Sequence, residues 1–185
     1  SDGVRAGSIL NSEHTIRALN RAVAEAEQMS GLNVQSAIVN ISGRSIQGEN
    51  STGVVAVTNR DRIVTEADVF RVVENARNRR IPSDHELLHV LAREFTVDDQ
   101  ESIPDPVGMS GVRLEVDVHL VTAPRTHLTG LQRVISGAGV HAEHVILSGI
   151  ASAEAVLKPG EKEMGVAVVD IGGGVCDIAV FVEGG

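Results

Sequence analysis

The chain reads as an α/β protein. β-branched runs over residues 34–41, 112–123 and 166–169 alternate with stretches whose apolar residues recur at helical spacing. The 112–123 run is the clearest strand. Val112, Leu114, Val116, Val118 and Leu120 alternate strictly with Arg113, Glu115, Asp117 and His119. Near the end, Gly172, Gly173 and Gly174 stand between two β-rich apolar runs, with Asp170 before them and Asp177 after.

Composition narrows the function classes. Of 185 residues, 42% are hydrophobic and 22% charged, which suits a globular protein with a real core. With three Phe and no Tyr or Trp, the core must be Val, Ile, Leu and Ala, and stacking platforms for single-stranded nucleic acid are missing. A formal charge of −9 opposes general affinity for nucleic acid or anionic lipid. The lone Cys176 excludes an internal disulfide and fits a reducing compartment. No stretch has the pattern of a signal peptide or a membrane span. There is no initiator Met, and Glu183-Gly184-Gly185 follow directly on a strand. A piece of a longer protein is the expectation.

The elements follow in order. Ser12 is a candidate N-cap. Ile16, Leu19, Ala22, Val23, Ala26 and Met29 then form a helix stripe expected to face the core, stopped by Gly31. Residues 34–41 alternate as a strand, broken by Ser42-Gly43. Two short strands, at 45–46 and 53–58, are expected around a polar turn over 48–52. Thr65 caps a helix with Asp68 as its capping-box partner, and Val69, Phe70, Val72, Val73 and Ala76 make its buried face. Arg77, Arg79 and Arg80 complement the C-terminal end of that helix dipole. Residues 86–97 are an apolar run leading to an acidic loop. The 112–123 strand follows, then a helix opened by Pro124 and carrying Leu128, Leu131, Val134 and Ile135. A short strand over 144–147 precedes an Ala-rich helix over 151–157 with Ser148 as its cap.

Most chemistry-bearing patterns fail on context. His85-Glu86-Leu87-Leu88-His89 matches the H-E-x-x-H zinc-protease pattern, which needs both histidines on one helix face. Its neighbours are β-rich, so a strand with two exposed histidines is expected instead. His141 and His144 read as a solvated turn, and Cys176 as a small filler between strands. Asn40-Ile41-Ser42 and Asn50-Ser51-Thr52 match glycosylation sequons by chance. No nucleophile elbow, Walker A sequence or dinucleotide fingerprint is present.

The glycine stretch is the exception. Its flanking runs are read as buried strands, with Asp170 at the end of the first and Asp177 opening the return. An unobstructed glycine turn can aim backbone N–H groups at an oxyanion, while a nearby carboxylate holds Mg²⁺ through water. Taken alone, the residues support an ordinary glycine-turn hairpin as well as a phosphate loop.

The order helix, Leu120-Val121-Thr122-Ala123-Pro124, helix, strand, Ala-rich helix, Asp-Ile-Gly-Gly-Gly resembles the actin, Hsp70 and sugar-kinase superfamily. The likeness sharpens at Asp105-Pro106-Val107-Gly108-Met109-Ser110-Gly111, at Ile41-Ser42-Gly43, at Asn50-Ser51 with Gly53, and at Leu88-His89-Val90-Leu91. Together these resemble the FtsA family, bacterial cell-division homologues of actin, over nearly the whole chain.

The resemblance implies an actin-like (ribonuclease H-like) α/β subdomain with an inserted small α+β subdomain, 1C, of SHS2 type. Residues 1–41 and 120–160 would belong to subdomain 1A, 42–119 to 1C and 161–185 to the start of 2A. It implies a full-length parent that binds ATP and Mg²⁺, self-assembles as actin does, and tethers the FtsZ ring to the inner membrane. The parent would sit in the cytoplasm, peripheral on the cytoplasmic face of that membrane at the division site. Self-association and contacts with other division proteins would use 1C. Asp170 would act on nucleotide-bound Mg²⁺ through water. Gly172, Gly173 and Gly174 would supply phosphate amides, and Asp177 would help hold the loop. No catalytic residue follows, and enzyme action is not expected of this chain.

Two departures qualify the likeness. Val175-Cys176 stand where the family usually has Thr-Thr, which removes a hydroxyl from the site. The first phosphate loop, the adenine segment, the FtsZ-binding subdomain and the C-terminal membrane helix would all lie outside the chain. ATP binding by this chain alone is therefore expected to be poor or absent. The competing expectations are a kinase or ATPase of the Hsp70–sugar-kinase type using residues 170–177, and a pilus-assembly actin homologue that binds a short peptide of a membrane partner.

Overall fold

The computed structural model describes residues 3–158 and 160–182. Its elements are β1 (Val4–Arg5), β2 (Ser8–Ile9), α1 (Ser12–Ser30), β3 (Ser36–Ile41), β4 (Gln47–Ala56), α2 (Glu66–Arg77), β5 (His85–Val97), β6 (Gln100–Ile103), β7 (Arg113–Pro124), α3 (Arg125–Gly137), β8 (His141–Leu147), α4 (Ser148–Val156), α5 (Glu161–Met164), β9 (Val166–Ile171) and β10 (Cys176–Phe181).

The largest sheet is antiparallel with order β4-β7-β5-β6. The alternation of β7 is realised from Leu114 on: Leu114, Val116, Val118 and Leu120 are buried, and α2 packs on that face, whereas Val112 precedes the strand and is exposed. The helix begins with a complete capping box. Thr65 accepts from Asp68 N–H, and Asp68 accepts from Thr65 N–H at 3.0 Å. The Thr65 hydroxyl bonded to Asp68 holds its carboxyl below the usual range, and the neighbouring Arg71 guanidinium adds to this.

β4 departs from the sequence reading. It is one ten-residue strand, and the stretch expected to turn, 48–52, pairs with β7 from Val121 back to Asp117. Its glycines serve packing. A Cβ at Gly48 would meet His119 Nε2 at 2.4 Å, and one at Gly53 would meet Val72 O at 2.3 Å. Phe70, expected inside, is 68% exposed, because Asp68, Val72 and Ala76 hold the inward row of α2. Arg79 is no free end-of-helix cation: its Nε–H donates to Ser51 Oγ at 2.9 Å, and that hydroxyl donates to Ala76 O at 2.7 Å.

β7 runs out of this core into a second one. Ala123 joins Ile41 and Leu128 there, with Leu131 and Val145 packed around them. The second unit is a parallel pair, β3 beside β8, with α3 and α4 against it and α1 packed on α3. Asn11, not Ser12, caps α1. The α1 stripe is only half covered: none of its residues is buried, and Met29 is 89% exposed. Pro124 immediately precedes α3, and Ser148 begins α4 instead of capping a later helix.

β9 and β10 form an antiparallel hairpin. One face, with Val168, Asp170, Asp177 and Ala179, is half-buried, and the hairpin packs against α4. The other face, with Val169, Ile171, Ile178 and Val180, is exposed, so neither strand is buried on both sides. Cys176 is also exposed and fills no gap.

The H-E-x-x-H residues lie on β5, where a bulge separates Leu87 from His89 in the pairing with β7. His85 is half-buried at the strand start beside Asp84, while His89 Nε2 accepts from Leu147 N–H at 2.9 Å in the second unit. Neither ring is exposed as expected, and among the described residues they join no cluster of three potential metal ligands. His141 and His144 lie on strand β8 and not in a turn.

Candidate functional site

The hairpin sets two carboxylates side by side. Asp170 and Asp177 are direct cross-strand partners, and side chains at such positions share one face of the ribbon. Both line a cavity of about 500 Å³ enclosed by α1, β3, α3 and the start of α4. The Ser152 hydroxyl donates to Asp170 Oδ2 at 2.6 Å and orients that carboxylate from α4. Burial pushes the Asp177 carboxyl above its ordinary range, and the negative charge of Asp170 pushes the same way. The Ser42 hydroxyl opposes them. Two like charges held together in partial burial favour a cation or a proton between them.

The glycine turn closes the same wall. Gly172 lines the cavity, but its N–H donates to Val175 O at 3.0 Å, so that amide is used inside the turn and does not face a ligand as expected. Gly173 and Gly174 N–H make no backbone hydrogen bond among the described residues. None of the three glycines lies in the left-handed region, and a Cβ on Gly173 would meet nothing within 4 Å. The turn conformation therefore does not demand glycine. Bare backbone at Gly173 leaves room for a ligand to approach.

The small β1–β2 hairpin lies over this wall. The backbone N of Ala6 would be 3.5 Å from a Cβ on Gly174, and Gly7 packs directly on the Ser42 carbonyl. His127 holds the hairpin, with Nε2 at 3.0 Å from Gly7 O and Nδ1 at 3.3 Å from Ser45 Oγ. Ser42, His127, Ser148 and Ser152 were not singled out from the sequence as site residues. Only Ser42, in Ile-Ser-Gly, stood in a recognisable signature.

The donor set fits Mg²⁺ held with phosphate. Among the described residues no group of three His, Cys, Asp or Glu converges on one point, so an all-protein cage is not built here. Mg²⁺ commonly keeps several waters and takes one or two carboxylates plus substrate phosphates, which is what Asp170 and Asp177 beside a glycine turn offer. When bound, the ion would neutralise phosphate charge. The chain's own residues orient the carboxylates and shape the wall. A second cavity, of about 470 Å³, lies between the open face of the large sheet and β10, with Asp177 in the wall shared by both. Among the described residues no helix is long and apolar enough to cross a membrane.

Residues 43–122 match the family model described as the SHS2 domain inserted in FTSA. The whole chain aligns with proteins named cell division protein FtsA. It is 44% identical over 184 residues to that of Pseudomonas aeruginosa, 40% to that of Borreliella burgdorferi and 36% to that of Escherichia coli K12. It covers 100% of itself in each case and 44%, 45% and 43% of those relatives, so it spans less than half their length. Among solved structures, a chain of the PilM–PilN type IV pilus biogenesis complex superposes with a TM-score of 0.58 at 15% identity. That match covers 97% of this chain and 47% of the other, a likeness of fold alone.

Proposed function

The chain belongs to the FtsA family, and from that premise we propose that it serves bacterial cell division as the nucleotide-facing and partner-facing part of an actin-like protein. Its fold is α/β, actin-like, with an inserted SHS2-type subdomain. The observation that carries the site reading is the Asp170–Asp177 pair on a cavity wall beside a glycine turn whose conformation does not require glycine.

In this reading residues 1–41 and 120–160 are part of subdomain 1A, 42–119 are 1C, and 161–185 begin 2A. The full-length parent binds ATP with Mg²⁺ near Asp170. Gly173 and Gly174 supply free amides to the phosphates, and Asp177 shapes the loop beside them. Nucleotide contacts from outside the chain complete the site, so the 185-residue chain alone holds ATP weakly or not at all. The protein acts by binding and assembly; Val175 and Cys176 bring no hydroxyl to the phosphates. The parent links FtsZ to the cytoplasmic face of the inner membrane through segments outside the chain. It contacts further copies and other division proteins through the large sheet and α2.

Replacing the native protein in cells with a parent carrying Asp170→Asn, or one lacking residues 43–122, tests this. Both are expected to give long undivided cells, with the deleted form still at midcell but failing to recruit later division proteins. Normal division with both variants would overturn the proposal.

A further inference from the structure

A side chain of the large sheet holds the end of β8. His89 Nε2 accepts from Leu147 N–H at 2.9 Å. Leu147 is both the last residue of β8 and the N-cap of α4, where no side-chain cap secures the helix. Among the described residues, this is the one side-chain hydrogen bond that joins the large sheet to β8 or α4.

The path of β5 aims the ring there. Leu87 and Val90 pack on the first core although they stand three residues apart, and Leu88 packs on the second. The extra residue is the bulge between Leu87 and His89 in the pairing with β7. Bulges re-aim side chains, and this one turns Leu88 and His89 together toward the second unit. Burial lowers the pKa of His89, which keeps the ring neutral and able to accept at neutral pH.

The tied residue stands at the head of the helix that serves the carboxylate pair. Ser148, next to Leu147, lines the cavity of Asp170 and Asp177. One turn further, the Ser152 hydroxyl donates to Asp170 Oδ2 at 2.6 Å, and α4 packs on both strands of the hairpin. A shift at the head of α4 therefore carries Ser152 with it and, through Ser152, the Asp170 carboxylate.

We propose that His89 is a positioning residue through which the inserted subdomain sets the nucleotide site: its ring fixes the head of α4, and α4 fixes Asp170. The proposal rests on the nucleotide reading above and adds regulation to it. A partner that draws β5 away from β8 weakens nucleotide binding. Bound nucleotide in turn holds β5 in place, because coupling between two sites is reciprocal.

The test uses the full-length parent, with Mg·ATP titrated by calorimetry into wild type, His89→Leu, His89→Gln and Asp170→Asn. Thermal unfolding shows which variants are folded. His89→Leu keeps the bulk and loses the acceptor, and is expected to weaken Mg·ATP about fivefold or more. His89→Gln restores an acceptor and should bind within about twofold of wild type. Asp170→Asn is expected to be impaired. In wild type, Mg·ATP should also slow hydrogen exchange of the Leu147 amide, a readout that needs no variant. Wild-type affinity in His89→Leu, a His89→Gln as weak as His89→Leu, or exchange at Leu147 unmoved by Mg·ATP would overturn the positioning role, and an impaired Asp170→Asn would leave the nucleotide site standing. Unchanged binding in Asp170→Asn would overturn both.

Discussion

Gly53→Ala isolates the contact that joins α2 to the sheet. The added Cβ would stand 2.3 Å from Val72 O, 2.6 Å from Ala76 N and 2.8 Å from Ala76 Cβ. These are helix backbone and near-backbone atoms, so no flexible side chain can yield and the helix must move off the strand. That movement also stretches two ties, Ser51 Oγ–H to Ala76 O at 2.7 Å and Val54 N–H to Asn75 Oδ1 at 3.0 Å. Overpacking of this kind costs about 1–3 kcal/mol, and each weakened hydrogen bond about 1 kcal/mol more. The expected loss is about 3–5 kcal/mol, roughly 6–20 °C in Tm for a chain of this size. Urea unfolding with an unchanged m-value measures it. Gly130→Ala is the control: it sits within α3, where a Cβ would meet nothing within 4 Å, and should stabilise by about 0.5–1 kcal/mol. A Gly53→Ala protein within about 0.5 kcal/mol of wild type would refute the reasoning.

Three further outcomes follow from the geometry. Thr65→Ala breaks the capping box of α2 and should cost about 1 kcal/mol in chemical denaturation. Phe70→Ser should leave stability within about 0.5 kcal/mol, because the ring is 68% exposed; a large loss would place it in the core after all. Burial lowers the pKa of His89, so the unfolded chain binds its proton more readily than the folded one. That contribution to stability is present above about pH 6.5 and is lost as pH falls from there toward the folded value. His89→Gln, which keeps an acceptor for Leu147 N–H, should flatten the slope in that window, and an unchanged slope would exclude His89 as its source.

The parts legible in the sequence are those governed by local pattern. β7 could be read from its alternation because one face packs on α2 and the other stays polar. Thr65 and Asp68 announced the start of α2, and Gly31 the end of α1. The misreadings share a cause. Gly48 looks like a turn residue, but it is small because His119 occupies the space above it. Phe70 belongs to the apolar count of its helix, yet the buried capping carboxylate of Asp68 takes the inward row. In the site, Asp170, Asp177 and the glycines were visible because they lie within eight residues of one another. Ser148, Ser152 and His127 reach the same cavity only through the packing of α3 and α4, and no spacing in the chain reports that.

Calorimetric titration of Mg·ATP into the full-length parent, its Asp170→Asn variant and the 185-residue chain bears most directly on the nucleotide reading. The parent should bind, the variant should bind at least about tenfold more weakly through loss of one carboxylate from the metal side of the phosphates, and the chain alone should show no micromolar binding. Equal affinity in parent and variant, or micromolar binding by the chain alone, would contradict a nucleotide site that is shared between this chain and the rest of the protein and organised around Asp170.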